Sequence, residues 1–176
     1  MAPTDQPATQ NPATQSRVRN WLAMVVGTRR AERHVDVALV VVRVALFWTF
    51  IHYGAGKLFG WFDGPGIHRS ALFFANTAHL RPGGLFAVLG GVIEFGGAFA
   101  LLFGVGTRLV GIALCGDMVM ATITVTWSRG FYTAQVPPGY ELNLALAVLA
   151  LVLVLSGAGR FSADALLERR IAKLKG

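Results

Sequence analysis

The sequence predicts an all-α fold: a polytopic membrane protein, built as an antiparallel bundle of four transmembrane helices with amphipathic interfacial helices at its flanks. Three observations carry this. Of the 176 residues, 54% are hydrophobic and only 14% charged, whereas a soluble domain averages about 25% charged. The apolar residues are also blocked into four runs: Val37–Gly60, Gly84–Phe103, Gly106–Trp127 and Tyr140–Ser156. Each approaches or exceeds the roughly 17–25 residues a helix needs to cross a bilayer. Finally, the charge is distributed by side. Arg17, Arg19, Arg29, Arg30 and Arg33 precede the first run, Arg108 follows the second, and Arg160, Arg169, Arg170, Lys173 and Lys175 follow the last. The opposite side holds only Lys57, Arg69, Arg81 and Arg129. An even number of crossings and the positive-inside rule put both termini on the cytoplasmic side. The net charge of +7 thus describes topology and contact with anionic lipid, not nucleic-acid binding.

Each element follows from local chemistry. Residues 1–16 are polar, rich in Pro, Thr and Gln, and predict a disordered tail without the apolar stretch of a signal peptide. Residues 17–36 are a basic juxtamembrane segment. Val18, Trp21, Leu22 and Val25 fall at helical spacing there and suit a helix in the membrane interface. The four-helix domain spans 37–159, with crossings at about 37–60, 84–103, 106–127 and 140–157. After the first, Asp63-Gly64-Pro65-Gly66 signals a turn, and Ile67–Leu80 predicts a short helix on the outer surface. Gly104–Arg108 is a tight turn on the inner side, and Ser128–Gly139 an outer loop. Residues 160–176 form a basic amphipathic helix, capped by Ser162, with Leu167, Ile171 and Leu174 on one face.

The residues that invite chemistry are the charges inside the runs, because a charge at mid-bilayer costs about 2.5–3.5 kcal/mol even on the lenient insertion scale. Gly84, Ala87, Gly91, Glu94 and Ala98 share one small-residue stripe, which puts Glu94 on a helix-packing face near the bilayer centre. Asp117 lies at a similar depth in the third run. Arg43, Phe47, Phe50, Gly54 and Lys57 form a stripe of the first helix, with His52 near its opposite face. Two layers are expected. The outer one pairs Lys57 with Glu141, and the middle one gathers Glu94, Asp117 and His52. Arg43 and Arg108 lie toward the inner side, with Asp164 expected near one of them. Lys57, Glu141, Arg108 and Asp164 are thus candidates for structural ion pairs, and Arg108 equally a topology anchor. Glu94, Asp117, His52 and Arg43 are candidates for binding a ligand or relaying protons. A buried acid can donate to a ligand carbonyl, pass on a proton or bond a neighbouring helix.

Several chemistries are disfavoured. The single cysteine, Cys115, forms no intrachain disulfide and no CxxC site. A bis-histidine haem needs two histidines facing into the bundle, and of His34, His52, His68 and His79 only His52 lies within a run. No cluster has metal-ligand spacing, and no phosphate-binding loop is present. Electron transfer here needs a diffusible carrier or a partner's redox centre.

Five stretches carry a resemblance: "GAGKLFGWFDGPGI" (Gly54–Ile67), "ALFFA" (Ala71–Ala75), "GVIEFGGAFALLFGVGTR" (Gly91–Arg108), "GYELNLAL" (Gly139–Leu146) and "GAGRFSAD" (Gly157–Asp164). Their order and spacing, over residues 37–168, resemble the DoxX family of small bacterial membrane proteins. The resemblance implies a four-helix inner-membrane protein associated with oxidoreductase systems. Relatives belong to quinone-linked complexes or to assemblies handling thiol and superoxide stress, with soluble enzymes as partners. It implies motif positions at Lys57, Glu94, Arg108, Glu141 and Asp164; Asp117 and His52 rest on depth alone. "WSRGF" departs from a His-containing pattern of many relatives. The expectation is a membrane subunit of an oxidoreductase complex that binds quinone and lacks its own redox centre. The alternatives are a non-catalytic anchor for cytoplasmic enzymes and a small transporter.

Overall fold

A computed structural model describes residues 31–175 of the chain. The expected tail 1–16 and residues 17–30 of the basic segment lie outside the described residues. All elements within them are helical. They are α1 (Ala31–Phe59), α2 (Gly66–Asn76), α3 (Gly83–Phe103), α4 (Thr107–Ala121), α5 (Glu141–Ser156) and α6 (Ala163–Lys175). A π-helical turn, Thr122–Thr126, and a 3-10 turn, Trp127–Arg129, continue α4. Residues 36–176 make one compact unit, and the packing described below belongs to it.

Three spans are long and apolar enough to cross a bilayer: His34–Phe59, Gly83–Phe103 and Thr107–Arg129. At 1.5 Å per residue they reach about 39, 31 and 35 Å, against a hydrocarbon core of about 30 Å. The fourth apolar helix, Glu141–Ser156, has 16 residues, about 24 Å. The loop before it supplies what its missing turn would. Gly139 and Tyr140 donate backbone bonds to Tyr132 and Gly130, and Glu141 to Phe131. A non-helical segment tolerates low polarity only when its own amides are satisfied in this way.

Short connections make consecutive helices antiparallel. The α3–α4 turn shows how. Gly104 takes φ 67°, the left-handed conformation that ends a helix, and Val105 N bonds back to Ala100 O at 2.8 Å. Glycine meets no Cβ clash in that conformation. The core between the helices is apolar, built from Leu46, Phe50, Leu101, Leu114 and Leu153, all fully buried. Val41, Trp48, Leu109, Ile112, Ile123 and Leu155 instead point outward and stay exposed. Large apolar side chains on the outside and small or apolar ones within suit a bundle whose solvent is lipid.

Two expectations shift in detail. The helix expected over Ile67–Leu80 ends at Asn76. It packs on α3, with Ser70 buried and Ala71 and Ala75 against Gly83. The third crossing is not a continuous α-helix, because its last turns widen to a π-helix beside the site described next.

Candidate functional site

The predicted stripe on α1 is realised: Arg43, Phe50 and Gly54 are buried, and Phe47 and Lys57 half-buried. On α3, Ala87, Gly91, Glu94 and Ala98 face inward, while Gly84 is exposed. The two stripes cross where Gly54 lies against the backbone of Phe95, and a Cβ at residue 54 would overlap the Phe95 amide. Small residues let membrane helices approach this closely. The crossing fixes the register of the two helices. It sets Lys57, one turn farther along α1, over Glu94.

The Lys57 ammonium meets Glu94 Oε1 at 2.6 Å. Among the described residues this is the only salt bridge. Glu94 is 1% exposed and Lys57 23%. Asp117 comes in from α4, its Oδ1 within 3.8 Å of where a Cβ on Gly90 would stand. The Lys57 charge acts on both acids, and the two acids act on each other. Two of their oxygens, Glu94 Oε2 and Asp117 Oδ2, are buried without a hydrogen-bond partner. Buried polar atoms are rarely left so.

Both acids line a cavity of about 250 Å³. Lys57, Tyr53 and Asn143 add donors to its wall, and Phe73, Phe74 and Met118 make much of the rest apolar. The π-turn forms one side through Thr124, Val125 and Thr126. Such turns widen a helix and occur often beside functional sites. Thr122 and Thr124 hydroxyls bond back to the Met118 and Met120 carbonyls at 2.8 Å. Thr126 Oγ1 accepts from Asn143 Nδ2 at 3.2 Å, tying α4 to α5. The legible signal was "TITVT", whose hydroxyls compete for helix carbonyls.

The remaining candidates stand elsewhere. Lys57 does not pair with Glu141. Glu141 opens α5 in the outer loop, is exposed, and accepts from Thr133 N at 3.1 Å. His52 does not join the two acids. Its Nδ1 donates to the Trp48 carbonyl at 2.6 Å, and its ring sits between Trp48 and Phe62, 4.9 and 4.1 Å away between centroids. Phe62 and Asp63 take left-handed φ of 56° and 59°, and this turn carries the Phe62 ring to the histidine. Such conformations cost about 1–3 kcal/mol each and persist only where their surroundings hold them.

Arg43 lies fourteen residues before Lys57, about 21 Å along α1, and binds backbone. Its two terminal nitrogens donate to the carbonyls of Ala158 and Phe161 at 2.9 and 2.8 Å. Asp164 forms no ion pair with Arg43 or Arg108. Its oxygens accept the Gly106 and Thr107 amides at 2.8 and 3.0 Å, capping α4. Burial works to raise the Asp164 carboxyl, but the Thr107 and Gly106 amides and the Arg43 charge outweigh it and hold the group below the usual carboxylate range. Asp36, not singled out from sequence, accepts the Arg160 amide at 2.9 Å. The inner end of the bundle is thus clasped by side chains bonded to backbone. Arg108 sits beside Gly157 there.

Comparison with known proteins agrees with the helical plan. Residues 38–127 match the DoxX family model, a span that includes Lys57, Glu94 and Asp117. Over 137 residues, 76% of this chain and 85% of the relative, the sequence is 30% identical to a protein of Haemophilus influenzae described as uncharacterized. No solved structure matches. The family match, over half the chain, and the apolar spans agree on one conclusion: this is a multi-pass membrane protein that belongs to the DoxX family.

Proposed function

We propose that this protein is a membrane subunit of a quinone-linked oxidoreductase complex, and that the cavity between α1, α3 and α4 is where a quinone head group binds. The observation that supports this most is the pair of unpartnered buried oxygens, Glu94 Oε2 and Asp117 Oδ2, on one cavity wall. The site fits the group. An apolar cavity of about 150 Å³ takes benzene, so about 250 Å³ suits a substituted single ring. Carbonyl oxygens need donors, and Lys57, Tyr53 and Asn143 offer them from the wall. Phe73 and Phe74 give the ring apolar surface. When bound, a quinone supplies two-electron, two-proton chemistry, and electrons come from a partner. In this reading Glu94 and Asp117 hold and pass protons at the head group, while Lys57 balances their charge. The surrounding membrane is the bacterial inner membrane, with both termini cytoplasmic.

The test is gentle native purification with mass spectrometry of bound small molecules and proteins. Quinone is expected with the intact complex, and Glu94→Gln is expected to lower its occupancy while the bundle stays folded. Recovery of the intact complex with no quinone would overturn the reading.

A second reading has its own support. On α6 the side chains Leu166, Leu167, Ile171 and Leu174 are exposed beside Arg169, Arg170 and Lys173. That face suits anchoring of a cytoplasmic enzyme or contact with anionic lipid. Truncation after Leu167 leaves the Asp164 cap in place. Loss of co-purifying proteins in that variant, with quinone binding unchanged, would favour the anchor.

A further inference from the structure

A second cavity, of about 580 Å³, lies between α1, the 60–66 loop and α2. It shares Tyr53, Lys57, Phe73 and Phe74 with the acid cavity, so the two spaces abut along one wall. Lys57 belongs to that wall, with its ammonium turned to Glu94.

Toward the inner side the acid cavity is closed. One turn inward from Gly54, Glu94 and Asp117 come Phe50, Ala98 and Leu114, and beyond them Leu46, Leu101 and Leu153, all fully buried. This layer is dry. Below it the Arg43 and Asp164 contacts seal the inner end. Toward the loop side the second cavity reaches exposed residues: Phe62, Pro65, Arg69 and Phe73. Arg69 meets no carboxylate within 4.0 Å among the described residues. A guanidinium without a carboxylate does not rest in hydrocarbon, so this mouth meets water or lipid head groups.

The two cavities differ in sign. Glu94 and Asp117 line the inner one against the single ammonium of Lys57. The outer one has Lys57, Arg69 and His52 on its wall and no acid. Asp63, on the same loop, is exposed and does not line it.

The geometry points to a port: the acid cavity is reached from the side of the 60–66 loop, through the Arg69 mouth, and this port favours water-soluble anions over cations. The inference rests on the acid cavity being a ligand or proton site. One role for the port follows: it admits the anionic conjugate base of a small acid that exchanges a proton at the acid cavity. Clefts lined by one sign of charge raise the local concentration and capture rate of the opposite sign by about 10- to 1,000-fold.

The test uses thiol labelling in proteoliposomes, in a Cys115→Ser background. Ser70→Cys reports on the port and Thr124→Cys on the acid cavity. Asp63→Cys and Leu174→Cys identify the two faces. The probes are the anionic sulfonatoethyl and the cationic trimethylammonioethyl methanethiosulfonates, with rates normalised to a free thiol. From the Asp63 face, both reporters are expected to label, with the anionic reagent favoured about tenfold. Arg69→Glu, an exposed substitution, is expected to reverse the preference. Ser70→Trp is expected to slow labelling of Thr124→Cys at least tenfold. Labelling of Thr124→Cys from the Leu174 face would overturn the port. So would a preference for the cation, or one unmoved by Arg69→Glu. Labelling needs no quinone. Failure to find quinone leaves this result standing, and failure of the labelling pattern leaves the quinone measurement untouched.

Discussion

Lys57→Met is the most direct probe of the acid cavity. Methionine keeps much of the lysine length and removes the one ammonium facing two carboxylates. Glu94, 1% exposed, then loses its only salt-bridge partner among the described residues. Breaking a buried pair by removing one member costs about 3–5 kcal/mol. Lys57 retains 23% exposure, so the lower end applies, about 3 kcal/mol. Most of that cost is the stranded charge, not a lost attraction. Glu94→Gln in the same chain therefore relieves it, and the double variant is expected to be more stable than Lys57→Met alone. The assay is unfolding in mixed micelles at rising SDS fraction, followed by helix content, for the wild type, both single variants and the double. A coupling energy above about 1 kcal/mol is expected. Additivity within about 0.5 kcal/mol, the behaviour of independent sites, would refute the reasoning, because the two side chains would then not share one electrostatic site.

The helix crossing makes its own prediction. Gly54→Val puts a branched side chain into the Phe95 backbone and is expected to abolish the folded bundle, read as loss of monodisperse protein in detergent. Gly96→Ala, with nothing within 4 Å of the added carbon, is expected to be tolerated. At the inner end, Asp164→Ala removes the cap of α4 and is expected to cost about 1 kcal/mol. Because the Asp164 carboxyl is held low in the folded state, its contribution is present above the unfolded value of about 4. It is lost as pH falls below that toward the folded value. The wild-type and Asp164→Ala stabilities should converge in acid, and a constant gap down to pH 3 would count against the assignment. Arg43→Lys keeps the charge but cannot span two carbonyls. It is expected to loosen residues 158–164, read as faster proteolysis there, with quinone occupancy unchanged.

Much of the bundle was legible because a bilayer imposes long-range order on short-range composition. Apolar run length predicts a crossing, and 3.6-residue periodicity predicts a face. Glu94 fell on a packing face for that reason, and the Arg43–Lys57 stripe likewise. Partner choice was less legible. Asp164 and Arg43 were expected to seek opposite charges and instead bind backbone amides and carbonyls, which composition does not display. In the Thr122–Thr126 turn the threonines signal competition for helix carbonyls, but not that the helix widens there.

The sequence by itself determined that the chain is a helical membrane protein of this family, and that an acid stands in a small-residue stripe on the packing face of its second crossing. The tertiary structure decided what that acid meets. Periodicity gives each helix a face but no register against its neighbours. The approach of Gly54 to Phe95 sets that register, and it brings Lys57 to Glu94 instead of to Glu141. The 60–66 turn carries Phe62 onto His52 and keeps the histidine apart from the two acids. Each depends on where two backbones meet, and no local pattern within either helix records that.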